Sequence, residues 1–292
     1  MELVPLGPGF GVEVRGVGLL DVATDAEAYK AVRAAFEDHS LLVFRDQPIA
    51  DDVQVAFSRA FGPLELTKVA SVGAGSFYSR LTNLGEKGEI VPPDHRQVRI
   101  AQANALWHTD SSFKKIPALA SVLTARVLPG EGGDTEFTST RLAWDRLPGD
   151  LQARLRDAVA THSYANSRDQ IHPDLANAEE RRALPPVRWR LNWRNPANDR
   201  RALYVASHAY AIDGMDDRDA RQLLAELLDE ATRREFVYVH RWRQGDAVMW
   251  DNRAMLHRGR PWDYTRERSM IRTTISATDA DGLGEVRPPV VH

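Results

Sequence analysis

The 292-residue sequence has no cysteine, which removes disulfide frameworks, zinc–thiolate and iron–sulfur centres and thiol nucleophiles at once. Any metal it holds must be bound through nitrogen and oxygen. Long apolar runs are missing too: no stretch free of Asp, Glu, Lys and Arg exceeds about eleven residues, well short of the roughly twenty that span a bilayer. The start, Met1-Glu2-Leu3-Val4-Pro5, lacks the basic residues and apolar core of a secretory signal, so a cytoplasmic location without a membrane partner is expected. Charge of one sign does not dominate. Thirty-eight Lys+Arg against 41 Asp+Glu give a formal net charge of -3, and that balance implies neither a nucleic-acid arm nor a polybasic membrane patch. Strand–GxGxxG–helix, GxxxxGK(S/T), GxSxG and HExxH are all absent, which weakens four common enzyme readings. Hydrophobic residues make up 43% of the chain, ample for a large buried core.

The hydrophobic pattern predicts many short strands with helices between them. Residues 9–14 alternate as a strand, and Thr24 or Asp25 can cap a helix running to about His39. Residues 40–44 form a continuous apolar run, as in a buried strand. A helix after Asp51 or Asp52 puts Val53, Phe57 and Phe61 on one face and closes at Gly62-Pro63. Strands are expected at 100–109, 120–128 and 135–138, then a helical hairpin over 141–160 split at Leu147-Pro148-Gly149. A β-hairpin over 187–192 and 201–206 flanks the turn 195–199. A helix behind Asp216 or Asp217 carries the stripe Leu223, Leu224, Leu227, Leu228 and Ala231, and strands return at 235–242, 247–250 and 268–276. Residues 85–99 and 166–182 are polar enough to be mobile. The basic-aromatic stretch 188–194 reads as hairpin packing with snorkelling arginines in preference to a nucleic-acid stacking surface. This order suggests a single domain over 1–292, mainly β with flanking helices (α+β), built on a sandwich or jelly-roll.

Two segments carry the chemistry. In Leu106-Trp107-His108-Thr109-Asp110-Ser111, residues two apart point to one face of an extended chain, so His108 and Asp110 can offer an imidazole and a carboxylate to one cation. Alone, such a triplet arises often by chance and reads more readily as a surface or turn pair. The second segment, 245–257, reads as a buried strand, a polar turn and then His257. Arg268 follows eleven residues on and Arg272 four beyond that. In the strand that holds them, Arg268, Met270, Arg272 and Thr274 share a face and Ile271 and Ile275 the other. Those arginines either meet solvent or line a polar cavity, where a spacing of about 13 Å suits two separate anionic groups. Two histidines and one carboxylate with open positions form the facial triad of non-heme Fe(II) oxygenases.

Over nearly its whole length the sequence resembles the taurine/2,4-dichlorophenoxyacetate dioxygenase family. The resemblance is carried by AFSRAFGPLE at 56–65, LWHTDSSF at 106–113, GGDTEF at 132–137, TRREFVY at 232–238 and MWDNR at 249–253. It implies a double-stranded β-helix (jelly-roll) core. It also implies Fe(II) on His108, Asp110 and His257, with 2-oxoglutarate and O2 as cosubstrates. By the same resemblance Arg268 and Thr135 hold the distal carboxylate of 2-oxoglutarate, and Arg272 faces the anionic end of a small organic substrate. Asn104, Lys68 and His208 match positions that line the substrate pocket. Lys68 reads equally as a solvated charge and His208 as a core histidine; His162, His172 and His240 read as structural. The implied reaction hydroxylates an aryloxyalkanoate beside its ether oxygen, giving a phenol and an oxo acid with succinate and CO2, in a homo-oligomer. A sulfonate dioxygenase of the taurine type is the nearest alternative. A cupin-like metalloenzyme without 2-oxoglutarate leaves Arg268 and Thr135 unexplained, and a non-catalytic β-roll leaves the triad unexplained as well.

Overall fold

The computed structural model describes residues 1–7, 9–48, 50–66 and 75–289. Strand β1 (Glu2–Pro5) pairs antiparallel with β2 (Val12–Arg15), and a short helix α1 (Leu19–Thr24) leads into α2 (Ala26–His39). Asp25 caps α2, its carboxylate accepting the Glu27 and Ala28 amides at 2.7 and 3.2 Å, which satisfies donors that the first helical turn leaves open. Strand β3 (Leu41–Phe44) and helix α3 (Asp51–Phe61) follow as the sequence predicts.

Beyond β4 (Tyr78–Thr82), residues 96–103 form helix α4 (Arg96–Ala103) where a strand is expected from residue 100. Gln97, Ala101, Gln102 and Ala103 are good helix formers, and His95 caps the turn by accepting the Gln97 amide on Nδ1 at 3.3 Å. Strands β5 (Ala118–Val127) and β6 (Thr135–Ser139) precede the helices α5 (Thr140–Arg146) and α6 (Gly149–Leu155), broken at Pro148. The end of the expected helical hairpin becomes β7 (Val159–His162) instead. The polar stretch 166–182 contains most of α7 (Tyr164–Asp169) and α8 (Ala178–Ala183). Strand β8 (Val187–Arg190) pairs with β7, while the hairpin around 195–199 consists of β9 (Asn192–Arg194) and β10 (Arg201–Leu203). Trp189 and Trp193 are buried there, and Arg188, Arg190 and Arg194 each pair with an aspartate outside. The chain ends through β11 (Ala209–Ile212), α9 (Asp217–Ala231), β12 (Tyr238–His240), β13 (Ala247–Asp251), β14 (Met255–Gly259), β15 (Ser269–Ser276) and α10 (Leu283–Val286).

The result is a sheet-rich α+β fold. Seven strands in the order β1-β2-β3-β13-β5-β15-β4 form one sheet, antiparallel except for β2 and β3, and β12-β6-β14 form a second. Side chains alternate between two cores. Leu41, Val43, Val248 and Trp250 meet Phe137 and Met255 of the second sheet. Leu42, Phe44, Ala247 and Met249 pack with Phe36, Phe57 and Phe61 of the helices. Both faces of the long sheet are therefore covered, which is why β3 reads as an unbroken apolar run. A buried ion cluster fastens the turn between β13 and β14: Arg253 donates to Asp251 at 2.9 Å and to Glu37 at 2.7 Å. Among the described residues no helix is long and apolar enough to cross a membrane.

His162 sits fully buried against Tyr204 with neither ring nitrogen hydrogen-bonded among the described residues. Burial pushes its pKa down to about 3. Below the unfolded value near 6.5, the unfolded chain takes up a proton that the folded chain refuses, so stability falls as pH falls. Urea unfolding of the wild type should lose about 2 kcal/mol more between pH 7.5 and pH 5 than that of His162→Phe. Equal losses would show that the ring is protonated in the folded state.

Candidate functional site

His108 and His257 are locked together by the backbone. The His108 amide donates to the His257 carbonyl at 3.0 Å and the His257 amide donates back at 2.9 Å, joining the 104–113 segment to β14. The rings lie 4.1 Å apart between centroids. His108 Nδ1 donates to the Leu106 carbonyl at 2.7 Å, which leaves Nε2 as the nitrogen with a free lone pair. That Nε2 lies 4.0 Å from Asp110 Oδ1, and His257 Nε2 lies 3.7 Å from Asp110 Oδ2. All three residues are buried, and one ligand atom from each falls within 4.8 Å of the others. Imidazole and carboxylate donors in this number, with positions left open, fit Fe(II).

Asp110 is braced from three directions. Arg272 Nη1 donates to Oδ1 at 2.6 Å and Ser121 Oγ to Oδ2 at 2.7 Å. Asn252 Oδ1 accepts the Asp110 amide at 3.0 Å, the Trp250 indole at 3.0 Å and the Thr109 hydroxyl at 3.2 Å. Burial works to raise the Asp110 pKa, but the Arg272 charge and the Ser121 hydrogen bond hold the carboxyl well below the usual range. For His108, burial and the charges of Arg168 and Arg272 outweigh Asp110 and the Leu106 bond, so the ring is kept neutral. His257 is pushed down further, first by burial and then by His108. Neutral imidazoles beside an ionised carboxylate are the protonation states that metal binding needs.

The triad opens on a cavity of about 750 Å³ between the two sheets, walled also by α4 and α7. Arg268, immediately before β15, faces it and is buried. Its Nη2 donates to the Gly133 carbonyl at 3.1 Å, and its guanidinium lies 4.8 Å from the Trp262 ring centroid. Nε is buried without a partner, no carboxylate is within reach among the described residues, and burial pushes the pKa down to about 10. Gly133 is required here. Its φ is +71°, and a Cβ would meet Arg268 Nε at 2.9 Å. Thr135 borders the same cavity and accepts the Trp242 indole N–H at 3.0 Å. A buried guanidinium with an unfilled edge is the feature a distal carboxylate would complete.

The remaining expected residues divide. Asn104 lines the cavity, with its carbonyl accepting the Gly259 amide at 2.9 Å. His208 lines it too, 3.2 Å from Ser112 Oγ through Nδ1 and packed on Phe113. Arg272 borders the cavity, with Nη1 committed to Asp110. Lys68 lies outside the described residues. His240, read as structural, is buried against Asp246 at 3.1 Å. Asn252, Ser121, His95 and Arg168 are the residues that sequence reasoning missed. Ser121 had a signal, as a hydroxyl within the apolar run of β5, and Asn252 stands inside the MWDNR segment.

Comparison with known proteins agrees with this geometry. A family model described as taurine catabolism dioxygenase TauD, TfdA family matches residues 2–274. The alpha-ketoglutarate-dependent 2,4-dichlorophenoxyacetate dioxygenase of Cupriavidus pinatubonensis is 42% identical over 275 residues, covering 92% of this chain and 96% of its own. The (S)-phenoxypropionate/alpha-ketoglutarate-dioxygenase of Sphingobium herbicidovorans is 35% identical over 287 residues, covering 96% of each. The crystal structure of AAD-2 in complex with Mn(II) and N-oxalylglycine superposes with a TM-score of 0.87 at 37% identity, covering 95% of this chain and 98% of that one.

Asn252→Ala would strip the Asp110 amide and the Trp250 indole of their shared acceptor. Groups that orient metal ligands are worth about 10- to 100-fold in affinity, so Mn(II) binding followed by electron paramagnetic resonance should weaken by that factor. Wild-type affinity in a folded Asn252→Ala protein would show that Asp110 is held without Asn252.

Proposed function

The chain belongs to the TauD/TfdA dioxygenase family, and on that premise we propose that it hydroxylates a small aryloxyalkanoate at the carbon beside the ether oxygen. The hydroxylated product collapses to a phenol and an oxo acid. The enzyme is an Fe(II)- and 2-oxoglutarate-dependent dioxygenase. The observation that carries the reading is a buried pair of histidines and a carboxylate sharing one cavity with a buried arginine that, among the described residues, has no carboxylate of its own.

In this reading His108, Asp110 and His257 hold the iron, and Arg268 with Thr135 holds the distal carboxylate of 2-oxoglutarate. Two features support it: the lone pair left on His108 Nε2 and the unfilled edge of Arg268. AAD-2 adds support, since Mn(II) substitutes for Fe(II) and N-oxalylglycine is an isostere of 2-oxoglutarate. When bound, Fe(II) and 2-oxoglutarate supply oxidative chemistry in which O2 is reduced, 2-oxoglutarate becomes succinate and CO2, and a C–H bond is hydroxylated. The chain positions the substrate carbon and excludes bulk water from the cavity. Arg272 keeps Asp110 ionised and leaves the rest of its guanidinium edge for the substrate's anionic end, beside Asn104 and His208.

Phe77, Leu81, Leu84, Val91, Ile100 and Phe113 line the same cavity. That apolar wall suits an aromatic ring better than a short aminosulfonate, and both relatives described above are named for aryloxy acids. The reading includes a single domain over 1–292 and a double-stranded β-helix (jelly-roll) core. The two sheets packed on one apolar core support the latter. It also includes a cytoplasmic, homo-oligomeric enzyme.

The test is a substrate panel scored by succinate and phenol release with Fe(II) and 2-oxoglutarate. 2,4-Dichlorophenoxyacetate and one or both enantiomers of a phenoxypropionate should give equal amounts of both products, and taurine should give background only. Arg268→Ala should raise the KM for 2-oxoglutarate about 10- to 100-fold, the worth of a charge-assisted carboxylate bond. Turnover of taurine without turnover of any aryloxy acid would overturn the substrate assignment.

A further inference from the structure

Six arginines line the cavity: Arg80, Arg96, Arg168, Arg260, Arg268 and Arg272. Four of them are answered by a carboxylate, namely Asp51 at 3.9 Å, Glu180 at 2.7 Å, Glu136 at 3.8 Å and Asp110 at 2.6 Å for Arg80, Arg96, Arg260 and Arg272. Among the described residues, Arg168 and Arg268 have no carboxylate within ion-pairing distance. The proposed reaction brings two organic anions into this space, 2-oxoglutarate and the aryloxyalkanoate, and Arg268 accounts for the first.

Arg168 stands on α7, in the polar stretch that packs against the cavity. Its guanidinium lies 4.7 Å from the Tyr164 ring centroid, and Tyr164 in turn packs on Phe113, with centroids 5.1 Å apart. Stacking on an aromatic face fixes the plane of the fork while leaving its edge free for a planar anion. Among the described residues, Nε is buried with no partner and Nη1 has only the neighbouring Ser167 hydroxyl, at 3.4 Å. The group is near enough to His108 to act on that ring electrostatically. Arg272 also has a buried Nε with no hydrogen-bond partner among the described residues, but its charge, unlike that of Arg168, is answered by a carboxylate, Asp110.

We propose that Arg168 receives the carboxylate of the aryloxyalkanoate, so that the substrate's anion is held mainly by a guanidinium on the helical wall and less by the arginine that braces Asp110. The assignment rests on the aryloxyalkanoate reading. Charge-assisted bidentate bonding to a carboxylate sets the size of the expected effect.

The experiment compares 2,4-dichlorophenoxyacetate with its uncharged primary amide on the wild type, Arg168→Ala, Arg168→Gln and Arg168→Lys, with succinate release as the readout. Arg168→Ala and Arg168→Gln should raise the KM for the acid about 10- to 100-fold and leave the KM for 2-oxoglutarate unchanged. The preference for acid over amide should collapse in both and return in part in Arg168→Lys. Arg168→Gln removes the charge but keeps a polar, hydrogen-bonding side chain, so it serves if the alanine variant fails to fold. A wild-type preference for the acid that persists in Arg168→Gln would overturn the assignment. A wild type that consumes no aryloxyalkanoate would instead overturn the reading beneath it, before any variant is measured.

Discussion

Asp110 carries a negative charge into the space between the two sheets, where burial alone would protonate it, and the architecture of the site follows from keeping that charge. Arg272 on β15 and Ser121 on β5 each deliver one hydrogen bond to it. Their strands are neighbours in register, with Arg272 opposite Leu123 and Thr274 opposite Ser121. Taking an arginine and an aspartate out of water together is expensive unless the remaining lone pairs and protons are satisfied. A bound cation would add to the same balance. The two histidines, held neutral by burial, contribute lone pairs without further charge.

The fold delivers this arrangement through a turn that is itself pinned by buried ions. Arg253, Asp251 and Glu37 fix the chain between β13 and β14. Asn252, one residue away, then accepts the Asp110 amide. From there β14 runs on to His257, whose backbone exchanges two hydrogen bonds with His108. The proposed metal-ligand set is thus assembled from two segments about 150 residues apart by main-chain contacts, with side chains only completing the alignment. Arg268 and Gly133 repeat the principle at the other depth of the cavity, where the absence of a Cβ leaves room for the guanidinium.

Much of this was legible in the sequence because it rests on local signals. Asp25 and Asp216 announce the starts of α2 and α9, and the two-residue alternation around Arg268 and Arg272 places both on the cavity face. The spacing of His108 and Asp110 pointed to one cation, and the distant His257 joins them in one buried cluster. Other parts depend on long-range packing, to which local pattern is blind. Residues 100–103 belong to α4, which packs Ile100 and Ala101 against the cavity, whereas apolar spacing favours a strand. Residues 166–182 look like solvent-facing loop, yet Arg96 of α4 reaches Glu180 of α8 and Arg168 turns toward the cavity. Nothing near Arg272 in the chain indicates that its first partner is Asp110, 162 residues away.

In the proposed centre Asp110, His108 and His257 hold one Fe(II) together. The direct measurement is an anaerobic Fe(II) titration of the wild type and of Asp110→Ala by calorimetry, with circular dichroism to confirm that both are folded. The account predicts a single Fe(II) per wild-type chain and loss of that binding in Asp110→Ala. A folded Asp110→Ala protein that takes up one Fe(II) with wild-type affinity would contradict it.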